Sequence, residues 1–540
     1  MLARAEAVAA LTAEPFDVLV VGGGITGAGV ALDAATRGYS VALAERADYA
    51  IGTSSRSSKL VHGGLRYLQN FDLGLVREAL LERQLNVALA PHLVRPLPLV
   101  VPAFDGARPD RLTGIGLNMY DVMSTVRRRG RDDDYWSPAR HRVIGGEEVL
   151  ELLPALAGRA PSGGYLFYDC QTDDVRLVLT VLAEAARFGA VCANRVEVTG
   201  LLEHGARAVD LETGEELEIR AENVVNATGV WADRLRPEEL HDEAEVPIIR
   251  PSRGTHIIVP RETLPVVAGA IAPAGGGRTI FVLPWLGRTL IGTTDNDYEG
   301  DLERVQPSEA DVGYLLEAVN AFFAASLTPG DIAGAYAGVR PLISTGDPRK
   351  SVDISRKAEL YETSSGMVTI TGGKLTTWRR MAKMTVDRIV EREGRDAPCR
   401  THQIPLGMTV DPAELPRAAG VEEETYAQLA GRYGHAAHDV LAVAAERPEL
   451  AAPIQPGRPD LLAEAAYAAR REQARTVGDV LLRRTRLALT AARDVCAPGA
   501  EAPRRVAGAL AAELGWDPAR TEREAAAFGA EAAAEGVVVG

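Results

Sequence analysis

The sequence is poor in cysteine, and it has no long apolar run. Four cysteines occur in 540 residues, and they form neither a CxxC pair nor any spacing typical of a zinc site. This argues against a disulfide framework and is typical of the reducing cytoplasm. No stretch reaches the roughly 18 uncharged apolar residues that a membrane-spanning helix needs, so we expect any membrane contact to be peripheral. The first residues show no signal-peptide pattern.

Positive charge is also in deficit. The chain carries 59 Lys and Arg against 74 Asp and Glu, a net charge of −15, with an isoelectric point near 5.3. Such a surface repels the phosphate backbone of a nucleic acid. The hydrophobic content of 46% is ordinary for a globular protein, and the length predicts two or three domains.

Three segments, far apart in the chain, each have the pattern of a nucleotide-binding fold. Residues 16–46 read as a strand, a glycine turn, a helix and a second strand. Short apolar strands at 223–227 and 367–371 end in Thr228-Gly229 and Gly372-Gly373, and the second opens a helix. We therefore predict one discontinuous cofactor domain (1–90, 166–245 and 336–395). The intervening segments, 91–165 and 246–335, predict an antiparallel substrate domain, and 400–540 an all-helical domain.

The first glycine turn has the spacing of a dinucleotide site. Gly22-x-Gly24-x-x-Gly27 lies between strand and helix, where Gly22 permits the turn, Gly24 admits a pyrophosphate and Gly27 allows close packing. The helix N-terminus then binds phosphate oxygens. Glu45 ends the next strand about 18 residues after Gly27, where a ribose hydroxyl needs an acceptor.

The downstream segments favour FAD over a nicotinamide cofactor. Gly275–Gly277 is not flanked by a strand and a helix, so one dinucleotide is expected. The motifs at 226–229 and 372–377 fit a long cofactor that crosses the sheet. A helix N-terminus at Gly373 would face the flavin ring and stabilise its anionic reduced form.

Several motifs together resemble one family. The run GTSSRSSKLVHGGLRYL at 52–68 is similar to the flavin-linked glycerol-3-phosphate dehydrogenases, including the bacterial aerobic enzyme. Further matches follow in the same order at 254–260, 291–295, 338–342, 372–379 and 479–485. The resemblance implies an α/β fold: a glutathione-reductase-type FAD-binding Rossmann domain, an inserted antiparallel-sheet substrate domain and a C-terminal all-helical domain.

The resemblance also implies a function. It is the oxidation of sn-glycerol 3-phosphate to dihydroxyacetone phosphate, in glycerol and glycerophospholipid metabolism. Hydride passes to noncovalently bound FAD, and the electrons then pass to ubiquinone or menaquinone in the respiratory chain. We further expect a homodimer in the cytoplasm, peripherally associated with the inner face of the cell membrane, with no nucleic-acid partner.

Substrate and catalytic residues follow from the chemistry and from the resemblance. A phosphate dianion needs guanidinium groups, and the resemblance assigns Arg66 and Arg356 to it, beside Tyr67. It assigns Arg340 and Lys374 to the reacting hydroxyl. Removing the hydroxyl proton requires a base, for which His256 is the candidate. The alternative is that His256 only hydrogen-bonds while the two cations stabilise an alkoxide.

The predicted cofactor-binding residues come from the same motifs. They are Gly22, Gly24, Ile25, Thr26, Gly27, Glu45, Arg46, Thr53, Ser54, Ser57, Ser58, Lys59, Leu60, His62, Gly63, Gly64, Val196, Ala227, Thr228, Gly229, Gly373, Lys374, Leu375 and Thr376. No metal site is predicted, because His435 and His438 have no acidic or cysteine partners at ligand spacing.

Other interpretations remain open at this level. A glycerol-3-phosphate oxidase would perform the same half-reaction with O2 as acceptor. An amine or amino-acid oxidase would share the fold but would not need the phosphate-binding arginines. Two basic amphipathic segments are candidates for membrane contact: 111–131, and 476–495, which is predicted to be one amphipathic helix. Packing onto the FAD domain explains the apolar face of the second at least as well.

Overall fold

The structure is a computed structural model that describes residues 1–65, 72–106, 109–124, 136, 138–235, 248–344, 358–363 and 365–539. The strands are β1 (Phe16–Val21), β2 (Val41–Glu45), β3 (Leu60–Val61), β4 (Arg95–Ala103), β5 (Arg142–Gly145), β6 (Gly163–Gln171), β7 (Val191–Asn194), β8 (Val196–Leu202), β9 (Gly205–Asp210), β10 (Glu216–Asn226), β11 (Ile248–Pro260), β12 (Gly269–Pro273), β13 (Thr279–Trp285), β14 (Arg288–Gly292), β15 (Asn296–Asp297), β16 (Gly334–Ser344), β17 (Ala358–Glu362) and β18 (Val368–Gly372). The α-helices are α1 (Arg4–Ala13), α2 (Ile25–Thr36), α3 (Leu73–Leu89), α4 (Arg111–Ser124), α5 (Gly146–Leu152), α6 (Asp174–Arg187), α7 (Glu309–Phe323), α8 (Trp378–Glu393), α9 (Glu423–Tyr433), α10 (Ala437–Glu446), α11 (Leu462–Glu472), α12 (Leu487–Thr490), α13 (Ala492–Val495), α14 (Glu501–Leu514) and α15 (Pro518–Glu535).

The first sheet is the nucleotide-binding one, with strand order β17-β18-β10-β1-β2-β7. Strands β18, β10, β1, β2 and β7 run parallel, and β17 is antiparallel to β18. The apolar strand β1 is almost entirely buried, as a parallel strand covered on both faces requires. Helix α2 covers one face, packed between α6 and α8. The first half of β10 instead forms an antiparallel hairpin layer with β8 and β9.

The second sheet is antiparallel in nearly all its pairings. Its order is β15-β11-β14-β13-β12-β4-β6-β3, with β16 also paired to β11 and β5 to β6. β12 and β4 are the parallel exception. Helix α7 packs on β11 and β12. β6 and β16 cross the boundaries predicted at 165 and 335, and both pair within this sheet; the division into domains stays a prediction.

The residues after 400 form helices around a shared apolar core. Tyr426, Leu441, Ala466, Leu481 and Leu510 belong to one buried cluster that joins α9, α10, α11 and α14 to the segment between them. The same cluster includes residues of the second sheet, so the helical layer and the substrate sheet share a core. The fold class predicted from the sequence is confirmed.

The predicted single amphipathic helix over 476–495 is wrong. The segment forms a π-helical turn at Asp479–Arg484, a left-handed residue at Arg486 (φ +66°), and the short helices α12 and α13. The side chains of Arg483, Arg484 and Arg486 are buried in ion pairs with carboxylates of the FAD domain and of the segment itself. A basic residue turned inward is unavailable to lipid, so these arginines stabilise the interface instead.

Candidate active site

A cavity of about 500 Å³ opens where the parallel strands of the first sheet end. It is lined by Val21, Glu45, Ala227 and Gly372, at or just beyond the carboxyl ends of β1, β2, β10 and β18. Ligands of open α/β sheets bind at this edge, because the loops that follow the strands diverge there.

The glycines of the first turn shape one side of this cavity. Gly22 has φ +112°, and a Cβ there would lie 2.7 Å from the carbonyl oxygen of Ala227. A Cβ on Gly27 would lie 1.9 Å from the carbonyl oxygen of Gly22, so α2 can approach β1 only without a side chain at 27. Gly24 is the N-cap of α2 and offers no capping side chain. The N-terminus of α2 therefore faces the cavity through Gly24, Ile25 and Thr26, as a pyrophosphate site requires.

Glu45 closes the same end of the cavity. Its carboxylate accepts hydrogen bonds from the N–H groups of Gly23 (2.6 Å) and Ala47 (2.8 Å). Burial raises the pKa of Glu45, while the two backbone N–H groups oppose that rise. The side chain is held in one orientation at the position where a ribose hydroxyl would donate.

The far end of the cavity is built by the turn after β18. Gly372 (φ +76°) and Gly373 (φ +74°) adopt left-handed backbone, and Lys374 and Leu375 continue the lining. A 3-10 turn at Leu375–Thr377 leads directly into α8, and Lys374 supplies no side-chain cap to it. A second helix N-terminus therefore lies at the opposite end from α2. These features fit FAD, whose pyrophosphate and ring need two separate electropositive helix ends.

The cavity unites most of the predicted cofactor residues. Those that line it are Gly22, Gly24, Ile25, Thr26, Glu45, Arg46, Thr53, Ser54, Ser57, Val196, Ala227, Thr228, Gly229, Gly373, Lys374 and Leu375. The others are not among the residues that line it: Gly27, Ser58, Lys59, Leu60, His62, Gly63, Gly64 and Thr376. The N–H of His62 donates to Thr376 Oγ1 (3.0 Å), and that hydroxyl donates back to the His62 carbonyl (3.2 Å), which ties the two motifs together.

His256 lies on β11 and is not among the residues that line the cavity. It is 2% exposed, and its ring stacks on Tyr336 at 4.7 Å between centroids. Its Nε2 is 2.9 Å from Ser58 Oγ, and its Nδ1 has no hydrogen-bond partner among the described residues. Burial, reinforced by the Lys59 and Arg340 cations, lowers the pKa of His256 well below its usual range. The imidazole is therefore neutral at physiological pH, the state in which it can accept a proton.

Arg340 lies on β16, next to the strand of His256. Its Nη1 is 3.1 Å from Asp295 Oδ1, and its Nη2 donates to Thr293 Oγ1 at 3.2 Å. Pro341, the next residue, lines the cavity. A Cβ on Gly254 would lie 2.6 Å from Arg340 Nη2, so glycine at 254 makes room for the guanidinium.

Some predicted substrate residues cannot be located. Arg66, Tyr67 and Arg356 lie outside the described residues. Sequence reasoning also missed lining residues such as Trp231, Pro341 and Met381, and the ring that supports His256, Tyr336. Pro341 could have been found from its place in the GVRPL motif, whereas the others carry no local signal. No group of three or more His, Cys, Asp or Glu within the described ranges could hold a metal ion.

Comparisons with known proteins identify the family to which this fold belongs. The family described as FAD dependent oxidoreductase matches residues 17–388, and the C-terminal domain of alpha-glycerophosphate oxidase matches 399–521. The first match covers more than half of the chain, which therefore belongs to the FAD-dependent oxidoreductase family. Relatives that are 35% and 40% identical over most of their length place it, within that family, among the glycerol-3-phosphate dehydrogenases. The recognition made from sequence motifs and the FAD prediction are both confirmed.

The relatives match over nearly the whole chain. Glycerol-3-phosphate dehydrogenase 2 of Mycobacterium tuberculosis is 40% identical over 98% of this chain and 90% of its own length. The aerobic glycerol-3-phosphate dehydrogenase of Bacillus subtilis is 35% identical, covering 88% of each.

Solved structures agree with this. The glycerol-3-phosphate dehydrogenase from Bacillus halodurans complexed with FAD superposes with a TM-score of 0.78 at 29% identity, over 98% of this chain and 97% of that one. L-alpha-glycerophosphate oxidase from Mycoplasma pneumoniae, at 18% identity and TM-score 0.53, shares the fold over 72% of this chain and 97% of that one.

Proposed function

We propose that this protein oxidises sn-glycerol 3-phosphate to dihydroxyacetone phosphate and passes the electrons to a membrane quinone. One observation carries the substrate assignment: Lys374 and Pro341 both line the cofactor cavity, and Pro341 lies on β16, the strand that carries Arg340 and pairs with the β11 strand of His256. We infer that Lys374, Arg340 and the neutral imidazole of His256 serve the flavin end of the site, where the hydroxyl of a phosphorylated polyol would react. The names of the relatives support the same substrate.

The chain's own groups account for the proton and the charge. When bound, FAD supplies the two-electron acceptor for the hydride that leaves C2. His256 is the proposed base for the hydroxyl proton, since burial and two neighbouring cations keep it neutral. Arg340 and Lys374 would stabilise developing negative charge on the substrate oxygen. Arg66, Tyr67 and Arg356 are proposed to bind the phosphate group.

The first experiment is anaerobic stopped-flow absorbance of the purified FAD-loaded protein. Mixing with sn-glycerol 3-phosphate should bleach the oxidised flavin band, and a quinone analogue should restore it rapidly. Glycerol and an amino acid serve as substrate controls. A flavin that stays oxidised with glycerol 3-phosphate but is bleached by an amino acid would contradict the substrate assignment.

An oxidase is the second candidate, because the C-terminal residues match a domain named for alpha-glycerophosphate oxidase. Admitting O2 in place of the quinone analogue after flavin reduction separates the two, since an oxidase would be reoxidised by O2 as fast as by quinone. We propose the quinone, because the whole-length relatives are named dehydrogenases and not oxidases.

We also propose that the protein works at the cytoplasmic face of the cell membrane, peripherally bound. None of the helices in the described part of the chain combines the length and apolar character needed to span a bilayer. Helix α4, however, exposes Leu112 (77%), Ile115 (59%) and Val122 (68%) on one face. Three arginines follow in sequence at 127–129. An apolar helix face followed in sequence by basic residues is typical of an interfacial helix.

Vesicle sedimentation tests this face. Ile115→Ser combined with Val122→Ser should weaken binding to vesicles of anionic phospholipid. Met408→Ser, at an exposed apolar side chain of the C-terminal region (63%), is the matched control and should bind as the parent does. Equal binding by both variants would contradict the proposal.

The resemblance also supports a homodimer. Light scattering after gel filtration measures this oligomeric state.

A further inference from the structure

A series of buried ion pairs connects the C-terminal helical region to residues that contact His256. Arg486, 1% exposed, lies between the π-helical turn and α12. Its Nη2 pairs with Asp174 and lies 3.1 Å from Asp173 Oδ1, at the N-terminus of α6. Both carboxylates belong to the FAD-binding sequence, so a cation of the C-terminal region is inserted into the other domain.

Asp174 also forms an ion pair with Lys59. Its Oδ2 is 2.7 Å from Lys59 Nζ, and both side chains are fully buried. Lys59 has a left-handed backbone (φ +60°) and also donates from Nζ to the Ser55 carbonyl at 2.6 Å. The ammonium lies 4.6 Å from the ring centroid of Tyr336. Burial lowers the pKa of Lys59 to about 8, although Asp174 raises it.

The same carboxylate anchors the loop that holds His256. Asp174 Oδ2 accepts hydrogen bonds from Ser57 Oγ (2.7 Å) and from its N–H (3.1 Å). The Ser57 carbonyl accepts from the Tyr336 hydroxyl at 2.7 Å, and the Tyr336 ring stacks on His256. Ser58 Oγ lies 2.9 Å from His256 Nε2. One face and one nitrogen of the imidazole are thus fixed through groups that Asp174 anchors.

We propose that Arg486, Asp174 and Lys59 form a positioning relay for His256, by which the C-terminal region completes the active site instead of only covering it. The relay deepens the proposed function, since it concerns the base of that reaction. Asp174 and Arg486 act through Lys59 and the serine loop (residues 53–59), and none of the three needs to touch substrate.

The effect of the Lys59 charge on the pKa of His256 has a definite direction. The cations that act on His256 are Lys59, from the serine loop, and Arg340, from β16. Arg340 is paired with Asp295, and Lys59 with Asp174, behind which Arg486 lies. A cation near an imidazole disfavours its protonation, so removing the Lys59 charge must raise the pKa of His256.

The test is Lys59→Met in the full-length, FAD-loaded protein. The rate of flavin reduction by sn-glycerol 3-phosphate is measured against pH. We expect the acid limb of this pH–rate profile, where the rate falls as His256 becomes protonated, to move to higher pH by about one unit. At a pH below the limb, the rate should then be about tenfold lower than in the parent. Arg486→Met should lower the rate of flavin reduction, and Arg486→Lys should restore part of it. A uniform loss at all pH values, with the limb unmoved, would overturn the relay.

Arg483→Met is the matched control. Arg483 is buried in the same segment but pairs with Asp48 and Asp479, away from Asp174. It should lower thermal stability while leaving the acid limb in place. An equal shift of the limb in this variant would show a general effect of unfolding the segment and would contradict the relay.

A second readout does not depend on the substrate. Carbon-13 histidine labelling with NMR titration, with the His256 signal assigned by its loss in His256→Gln, follows the imidazole directly. The His256 resonance should titrate at higher pH in Lys59→Met than in the parent. If glycerol 3-phosphate fails to reduce the flavin but this shift is seen, the proposed function falls and the relay stands. An unmoved resonance in a folded, FAD-loaded variant would refute the relay.

Discussion

Gly27→Ala tests the packing of helix on strand that creates the phosphate-binding end of the cavity. A Cβ at 27 would lie 1.9 Å from the Gly22 carbonyl oxygen, whereas real Cβ contacts are essentially never shorter than 3.0 Å. Backbone must therefore move by about 1.1 Å, either in the turn that carries Gly22 or in the first turn of α2 that carries Gly27. Both would hold the pyrophosphate. Overpacking of this kind costs about 1–3 kcal/mol.

This cost falls on cofactor binding as well as on stability. If this change destabilises the FAD-bound protein by about 1.4 kcal/mol more than the apoprotein, FAD affinity drops tenfold. Fluorescence titration of the apoprotein with FAD measures the dissociation constant, and thermal melting measures stability. The matched control is Gly313→Ala in α7, where a Cβ meets nothing within 4 Å. That variant should be neutral or more stable by up to about 1 kcal/mol. An unchanged FAD affinity and melting temperature in Gly27→Ala would refute the reasoning.

Three further predictions concern buried carboxylates. Glu45→Gln removes the charged acceptor of the Gly23 N–H and should weaken FAD binding by about 1–3 kcal/mol, measured by the same titration. Asp48→Ala removes the carboxylate shared by two buried arginines of the C-terminal region, Arg483 and Arg484, and should cost about 3–5 kcal/mol in chemical denaturation, whereas Glu148→Gln, at an exposed ion pair, should not change the midpoint. Burial opposes ionisation of Asp479, but neighbouring guanidinium groups hold its pKa well below the usual value. The stabilisation that Asp479 contributes is therefore complete above the unfolded-state pKa of about 3.9 and is lost as pH falls below it. The loss in free energy of unfolding caused by Asp479→Asn should accordingly be constant from pH 8 to 5 and become smaller in acid. A deficit independent of pH down to the acid transition would contradict the last prediction.

The nucleotide-binding half of the fold was predictable because its signals are local. The spacing of Gly22, Gly24 and Gly27, an apolar strand on each side and Glu45 at the end of the second strand follow from steric rules that hold within one βαβ unit. Family motifs extended the prediction to Gly373 and Lys374. All of these residues except Gly27 line one cavity.

The segment at 476–495 shows where local patterns fail. Its apolar periodicity indicates a continuous helix, but carboxylates distant in sequence bind its arginines and break it into a π-helical turn and two short helices. Asp48 and Asp174 are hundreds of residues away from this segment. No window of sequence contains that interaction.

The sequence by itself determined the cofactor class and the order of the elements, because glycine spacing, strand periodicity and the acidic strand end act over a few residues. Only the tertiary structure decided what surrounds His256 and where the basic residues of the C-terminal region point. Those outcomes depend on burial and on charges brought together from distant parts of the chain. A buried ammonium beside an imidazole, and a guanidinium against two carboxylates, arise only when separate elements pack, since the low dielectric of the interior gives those charges their strength.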